Sequence, residues 1–375
     1  MDEDLGRIQE LSKMYGSNCR IQMKCGALGE DSWKGFAMPP LHLAASYRRV
    51  KSMQSLLSAG ADPETRDRLG QTTLHLLVTN WPIVLTTKPG SAAGTAAYTQ
   101  AEACLRLLCE HGASVNAEVE GESHQTALHL SVRHAALSAV HILTSYGAAA
   151  NAADSSGMTP LHMAAGILRK DMIASLIAGG ADPNMGVKQS GNRPLHMAVV
   201  ALAMKNNKSL SDGKGCIREL LQHGAEVDAL NKAGITPLHE ACSMASKELV
   251  DLLLSHGADI NKPSEAGESC LFLFLNRRQN VRNGSLLLKL FSLTYPVTVY
   301  NNEGHLPSTL MLPCFFKQRD QLLELIMQPR RLQDICKVAI YLKHNPDKRE
   351  ELRKILPEKV YDFVFHYWEN VQISF

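Results

Sequence analysis

The chain lacks any long apolar run and lacks the features of a secretory leader. No segment approaches the roughly eighteen consecutive apolar residues that a membrane-spanning helix needs. The first residues, Met-Asp-Glu-Asp, supply neither the positive flank nor the apolar core of a signal peptide. We therefore expect a protein of the cytosol or the nucleus.

The chain also lacks the short motifs that accompany catalysis or metal binding. It has nine cysteines, an odd number, and no Cys-x-x-Cys pair, which predicts reduced thiols rather than disulfides or a metal cluster. Phosphate-binding and dinucleotide-binding glycine loops, the Gly-x-Ser-x-Gly elbow and the His-Glu-x-x-His pair do not occur. We expect no enzyme activity, no cofactor and no metal.

Charge is close to balanced, with a formal net charge of +2. Residues 276–375 hold 15 Lys and Arg against 10 Asp and Glu, a small excess spread over many positions. A nucleic-acid-binding protein presents a more concentrated basic stripe. We expect neither a nucleic-acid partner nor a membrane partner, and the pair Arg277-Arg278 is interpreted as solvated.

What the sequence does contain is a repeat of about 33 residues. Six Leu-His pairs recur, and each precedes a Gly-Ala pair. Repetition at a fixed period indicates stacked units that form a binding surface rather than a closed catalytic pocket. The twelve paired residues, predicted to be structural, are Leu41, His42, Leu74, His75, Leu128, His129, Leu161, His162, Leu195, His196, Leu238 and His239.

The fullest copy of the repeat runs from Asp154 to Asp182, and several of its residue types have a local structural reason. Thr159 is suited to the N-cap of a helix and Pro160 to its first position, where a missing N–H is harmless. Gly157 suits a tight turn with positive φ, and Gly180 suits the left-handed residue that ends a second helix. The pattern predicts two short antiparallel helices and a turn in each unit.

This repeat resembles the ankyrin repeat, whose Thr-Pro-Leu-His signature is complete at 159–162 and 236–239. The resemblance implies an all-α ankyrin-repeat α-solenoid with six clear repeats and degenerate terminal ones. It also implies a monomer that binds a protein on its concave helix face and hairpin tips. Each repeat histidine is expected to bond nearby turn backbone and to link successive units.

Two repeats carry extra residues between their first and second helices. The distance from the Leu to the Gly is 19 residues in four repeats but 38 in the second and 29 in the fifth. The segments 86–94 and 205–215 are rich in Gly, Ser, Thr, Pro and Asn, and we predict them to be loops. They are either tolerated insertions or a second contact surface.

The ends of the array depart from the pattern. Leu5, Ile8, Leu11 and Met14 match the spacing of a second helix without a first, so residues 1–34 are predicted to be a truncated N-terminal capping repeat. Ankyrin repeats are assigned to 35–298 and a degenerate capping repeat to 299–328. Asparagines at the hairpins are predicted to be turn formers, a reading preferred over hydroxylation sites; they are Asn116, Asn151, Asn184 and Asn261.

Residues 329–375 change character. Leu332, Cys336 and Ile340 are spaced at i, i+4 and i+8, and Leu356-Pro357 precedes a short apolar helix. This order resembles the SOCS box, in which the first helix docks on Elongin C and the Leu-Pro region contacts a cullin. The resemblance implies candidate Elongin contacts at Leu332, Cys336 and Ile340 and candidate cullin contacts at Leu356 and Pro357.

Two features separate this segment from the family pattern. Arg331 stands where a small or hydroxyl residue is usual, and only one Leu-Pro pair is present instead of two. Ankyrin repeats followed by a SOCS box are the layout of substrate receptors of cullin-RING ubiquitin ligases. The alternative is a plain scaffold whose last helices cap the stack, with Leu332 and Cys336 buried against Leu322, Leu323 and Ile326. Over its whole length the chain also resembles one ankyrin repeat domain-containing protein, which implies little about function.

Overall fold

The structure is a computed structural model that describes residues 16, 18, 21–23, 36–82, 92–205, 210–327, 340, 351–354 and 356–365. The chain divides into two compact units. One comprises Met1–Ala164 and Asp171–Asp182, and the other comprises Ala165–Lys170 and Pro183–Phe375.

Pairs of short helices dominate both units. In the first unit the first helices of successive repeats pack on one another, as α1 does on α3 and α3 on α5, and the same holds in the second unit for α9, α11 and α13. The predicted α-solenoid fold class is thereby confirmed. The α-helices are α1 Pro40–Ser46, α2 Val50–Ser58, α3 Thr73–Thr79, α4 Ala92–Glu110, α5 Ala127–Arg133, α6 Leu137–Ser145, α7 Pro160–Ile167, α8 Lys170–Ala178, α9 Pro194–Met204, α10 Leu210–Gln222, α11 Pro237–Ser243, α12 Lys247–Ser255, α13 Cys270–Leu275, α14 Gly284–Leu293, α15 Phe316–Met327 and α16 Glu358–Phe365.

One small sheet departs from the all-α expectation. Strands β1 (Ile21–Met23) and β2 (Phe36–Met38) pair antiparallel, with Ile21 opposite Met38 and Met23 opposite Phe36. β2 leads directly into α1. The residues predicted to form an orphan second helix, Leu5 to Met14, lie outside the described residues.

The Thr-Pro-Leu-His motif begins α11 as a reciprocal cap. Thr236 Oγ1 accepts the His239 N–H at 3.2 Å, and His239 Nδ1 accepts the Thr236 N–H at 3.1 Å. This is a capping box in which histidine replaces the usual Glu or Gln at the third helical position. Pro237 occupies the first helical position, where its ring pre-sets φ and no N–H is lost. The leucine between the proline and the histidine then points into the core.

The leucine of each motif is buried as the repeat requires. Leu161, Leu195 and Leu238 are 0%, 1% and 0% exposed. Gly157 and Gly180 adopt positive φ of +77° and +92°, as predicted for the hairpin turn and the end of the second helix.

The two insertions contain more helix than the composition predicted. Residues 92–94 belong to α4, a helix of 19 residues, and residues 210–215 belong to α10. The prediction of a loop throughout 86–94 and 205–215 was therefore wrong for these residues. A Cβ built at Gly213 would overlap the Leu202 side chain, so this glycine permits close packing of α10 on α9 rather than a turn.

The repeat pattern continues past the sixth unit in altered form. In the seventh repeat, Ser269 caps α13 by accepting the Phe272 N–H at 3.1 Å, and α14 supplies the second helix. Two 3₁₀ turns, Ser308–Met311 and Pro313–Phe315, then lead into α15. The segment 299–328, predicted to be a degenerate capping repeat, thus has a helix at its end.

Candidate protein-binding surface

The buried histidines belong to a polar network that holds each repeat to the next hairpin. His129 Nδ1 accepts the Thr126 N–H at 3.2 Å and lies 2.9 Å from Thr126 Oγ1. Because Nδ1 accepts, the ring proton is on Nε2, which donates to the Met158 carbonyl at 3.0 Å. His75 and His196 donate in the same way to Ala117 and Ile235, at 3.0 and 2.9 Å. Both ring nitrogens are therefore used in structural bonds.

Burial keeps these histidines neutral. Desolvation lowers the pKa of His75 to about 4, and it also lowers the pKa of His42 and of His129. All twelve paired residues are at most 2% exposed. Within the residues that the structure describes, no three His, Cys, Asp or Glu side chains are placed to hold a metal ion.

The last regular repeat breaks the network. His239 makes the Thr236 bonds through Nδ1, but its buried Nε2 makes no bond to the backbone of the next hairpin. The following repeat carries Phe272 in place of histidine, and Ser269 Oγ makes the next link by donating to the Thr298 carbonyl at 3.1 Å. The pattern of links therefore changes where the sequence motif decays.

The residue after each repeat histidine forms a row that the sequence analysis did not single out. In the first unit the row is entirely apolar and becomes partly accessible at two positions, Leu43 and Met163. In the second unit it contains one acid, Glu240, whose pKa is raised by burial despite the nearby Arg277. The signal that marks the row is the position after Leu-His, and the equivalent position after Leu-Phe in the seventh repeat; the row comprises Leu43, Leu76, Leu130, Met163, Met197, Glu240 and Leu273.

The hairpins are tied together by side chains that leave their tips exposed. Asn151 Oδ1 accepts the Asp182 N–H at 2.8 Å while its Nδ2 donates to the Gly180 carbonyl at 3.2 Å. The asparagine side chain therefore links its hairpin to the next repeat, a use that its prediction as a turn former did not include. In the first unit Leu69 is 69% exposed at a hairpin tip. Accessible apolar and charged groups on a fixed backbone suit protein recognition.

Arg66 fixes the neighbouring hairpin of the first unit. Its Nη1 donates to the carbonyls of Gly70 and Glu118, each at 2.7 Å, and its Nε lies 3.1 Å from the Glu120 carboxylate. The hairpin over 118–126 is acidic, with Glu118, Glu120 and Glu122 exposed. A basic or polar partner surface would complement this tip.

Comparison with known families identifies the repeat. The model "Ankyrin repeat" matches residues 38–68 and 156–186, and the model "Ankyrin repeats (3 copies)" matches residues 200–264. These repeats are ankyrin repeats. The solved ankyrin repeat domain of Bcl-3 superposes with a TM-score of 0.52 at 26% identity, covering 63% of this chain and 93% of that one.

The name of one curated relative includes a SOCS box, and the name of another is that of a ubiquitin ligase. Human ankyrin repeat and SOCS box protein 16 is 27% identical over 284 residues, which cover 65% of this chain and 61% of that protein. The E3 ubiquitin-protein ligase KEG of Arabidopsis thaliana is 26% identical over 276 residues, covering 70% of this chain and 15% of that protein. The chain thus spans less than two thirds of either relative.

The residues singled out after the ankyrin repeats are only partly described. Leu332 and Cys336 lie outside the described residues. Ile340 is helical and 38% exposed, Leu356 is half-buried and Pro357 is exposed. Pro357 opens α16, since its carbonyl accepts the N–H groups of Val360 and Tyr361 at 2.8 and 3.0 Å. Of the described helices, none is long and apolar enough to cross a membrane.

Proposed function

We propose that the chain is a non-catalytic protein-binding scaffold that presents a bound protein to a cullin-RING ubiquitin ligase through Elongin B/C. The observation that carries the proposal is the sequence similarity to ankyrin repeat and SOCS box protein 16 together with the Leu-x-x-x-Cys-x-x-x-Ile and Leu-Pro patterns after the repeats. The intracellular setting expected from the sequence suits such a role.

The target protein would bind the row that follows the repeat histidines and the adjoining hairpin tips. In the first unit this surface combines partly accessible Leu43 and Met163 with exposed Leu69 and the acidic hairpin over 118–126. Apolar anchors beside a charged rim are the usual composition of a protein interface. The histidine network holds the backbone under the surface, which reduces the ordering entropy that binding must overcome.

Elongin B/C would bind through Leu332, Cys336 and Ile340. A leucine, a small cysteine and an isoleucine one turn apart give an apolar stripe that a partner helix can approach closely. Leu356 and Pro357 would contact the cullin.

Co-purification of the full chain with Elongin B/C tests the ligase role. The double variant Leu332→Pro/Cys336→Phe should abolish co-purification, because proline breaks the helix and phenylalanine overfills the contact. The matched control Gln333→Ala/Lys337→Ala changes the neighbouring polar positions and should bind as the unchanged chain does. Thermal melting of the repeats should be nearly equal in all three proteins.

The alternative is a plain scaffold whose last helices only cap the stack. Failure of the unchanged chain to bind Elongin B/C would rule out the ligase role and leave that alternative. If binding is found, Leu356→Ala/Pro357→Ala should lose the cullin while retaining Elongin B/C. Affinity capture in the presence of a proteasome inhibitor would then identify the target.

A further inference from the structure

The connections between the first and second helices form one edge of the second unit, which we call the helix-turn edge. It comprises the described residues 165–170, 203–205, 210–214, 243–248 and 276–284. Hydrogen bonds join neighbouring connections. Asn280 Nδ2 donates to the Ser243 carbonyl at 2.8 Å, and Lys205 Nζ lies 3.5 Å from the Ile167 carbonyl.

Charge is segregated between this edge and the hairpins of the same unit. The helix-turn edge contains eight Lys and Arg against two acids, Asp212 and Glu248. The hairpin stretches 183–193, 225–236, 258–269 and 295–307 contain four Lys and Arg against six Asp and Glu. The small net charge of the whole chain conceals this separation, because each repeat contributes only one to three of the cations.

Three of the cations occupy equivalent positions in consecutive repeats. Lys170, Lys214 and Lys247 each precede the terminal glycine of their second helix by ten residues, at 180, 224 and 257. Lys214 is the fifth residue of α10, whereas Lys170 and Lys247 are the first residues of α8 and α12, where the helix dipole disfavours positive charge. Helix stability does not account for lysine at this position. Lys170 is paired with Glu219 at 3.2 Å, but its side chain remains 59% exposed.

The seventh repeat adds three exposed arginines, Arg277, Arg278 and Arg282, in a stretch that has no acidic residue. Asn280, which is only 6% exposed, fixes their backbone through its bonds to the carbonyls of Ser243 and Phe274, the latter at 3.0 Å. Arg282 lies in the 3₁₀ turn Asn280–Arg282, and Arg277 and Arg278 lie in the turn just before it, so an anionic partner meets them already positioned.

Exposed apolar side chains lie among the cations. Ile167 at the end of α7 is 44% exposed, and Met204 at the end of α9 is 69% exposed. The described residues of the edge include no aromatic side chain. Single-stranded nucleic acid is usually held by aromatic stacking, and duplex backbones offer no partner for exposed isoleucine and methionine.

We infer that the helix-turn edge of the second unit binds an acidic protein segment that carries apolar side chains between its carboxylates. Carboxylates would face Lys214, Lys247 and the arginines of the seventh repeat, and apolar groups would cover Ile167 and Met204. This surface shares no residue with the row after the repeat histidines or with the predicted Elongin contacts. It therefore does not depend on the ligase role.

Fluorescence anisotropy with the full-length chain tests the inference. The probe is a fluorescein-labelled peptide of repeated Glu-Glu-Leu triplets. Lys247→Glu/Arg278→Glu should weaken its binding by about tenfold or more, since each reversal replaces an attraction with a repulsion. The matched control Lys188→Glu/Lys232→Glu makes the same change of net charge at exposed hairpin positions. It should change the affinity by no more than about twofold, because its charges lie at the hairpins and not on the helix-turn edge.

Further probes separate the classes of partner. A peptide of repeated Glu-Glu-Ser triplets should bind more weakly than the leucine peptide, and added salt should weaken both. Equal loss of affinity in the two double variants would overturn the inference, as would tighter binding of oligodeoxythymidine or of phosphatidylserine vesicles. Elongin B/C co-purification should be the same in both double variants, so failure here is distinguishable from failure of the ligase role.

Discussion

The hairpins and the helix turns reverse the chain equally often, yet they do so with different residues. At the hairpins, positive φ falls on glycines such as Gly157, Gly234 and Gly267, at +77°, +69° and +76°, and also on His124, at +48°. At the helix turns it falls on residues with side chains, and these φ values run from +52° to +59°; the residues are Arg48, Ala135, Leu168 and Ala245. Left-handed backbone is free of strain for glycine and unfavourable for the others.

The two edges also differ in how neighbouring repeats are joined. At the hairpins, buried histidines and half-exposed asparagines bond the next repeat at regular intervals, as His129 and Asn151 do. At the helix turns, the links vary from repeat to repeat, for example Arg48 Nη1 to the Asn80 carbonyl at 2.9 Å. The regular bonds at the hairpins therefore set how successive repeats are aligned. The helix turns can accept insertions and charged residues because they do not set this alignment.

Truncation of the core between the two edges should have the largest effect on stability. Leu161 is fully buried, so Leu161→Ala should lower the free energy of unfolding by about 2–5 kcal/mol through the cavity it leaves. Leu271, equally buried in the seventh repeat, should behave alike, since the core is common to regular and degenerate repeats. Urea unfolding measures both. A loss well under that range at Leu161 would contradict the assigned core.

The second largest effect should come from acid, which should weaken the bonds that the buried histidines make to the hairpins. His75 is neutral when folded, with a pKa of about 4, and becomes protonated near 6.5 when unfolded. Its contribution is therefore complete above pH 6.5 and is lost as the pH falls towards 4, by roughly 3 kcal/mol. The urea midpoint measured against pH tests this. His75→Gln, which keeps a capping residue that does not titrate, should flatten the profile over that window.

Relief of strain at a helix turn should have a smaller effect, of opposite sign. Ala245→Gly should raise the free energy of unfolding by about 1 kcal/mol, because Ala245 has a φ of +52°. The matched change Ala174→Gly, inside α8, should lower it by about 1 kcal/mol. Equal and destabilising effects in urea titrations would mean that the helix turn is not strained.

Replacement of Asp228, which stands where several other hairpins have an asparagine, should have the smallest effect. Asn184 accepts the Glu226 N–H and donates to the Gly224 carbonyl, each at 2.8 Å, whereas Asp228 can only accept, from the Asp259 N–H at 3.0 Å. Burial raises the pKa of Asp228, so its ionised form destabilises the folded state at neutral pH.

Asp228→Asn should therefore stabilise the chain by roughly 0.5–1 kcal/mol at pH 7. The gain should shrink as the pH falls below 3.8, because the carboxyl then becomes protonated in both the folded and the unfolded state. Melting at the two pH values measures it. A gain that is independent of pH would show that charge is not the cause.

Sequence reasoning located the regular repeats because their determinants are local. One helical turn contains the residues that start the first helix, which are Thr159, Pro160, Leu161 and His162. Gly180 ends the second helix through its own backbone angle φ. The same reasoning failed at Gly213, where the glycine serves contact between α9 and α10, a fact that depends on residues far along the chain. The row after the histidines was also missed, since its accessibility depends on the helices beside it.

The sequence by itself determined the ankyrin repeat, its caps, its buried leucines and the place where the pattern decays. Those features follow from local backbone preference and from the regular spacing of apolar residues. Both can be read from a short stretch of sequence without the rest of the chain. Only the tertiary structure decided that Lys214, Lys247 and Arg278 share one edge, and that His239 loses the link that His129 makes. Each of these facts joins residues from different repeats, and stacking rather than proximity in the chain sets the distance between them.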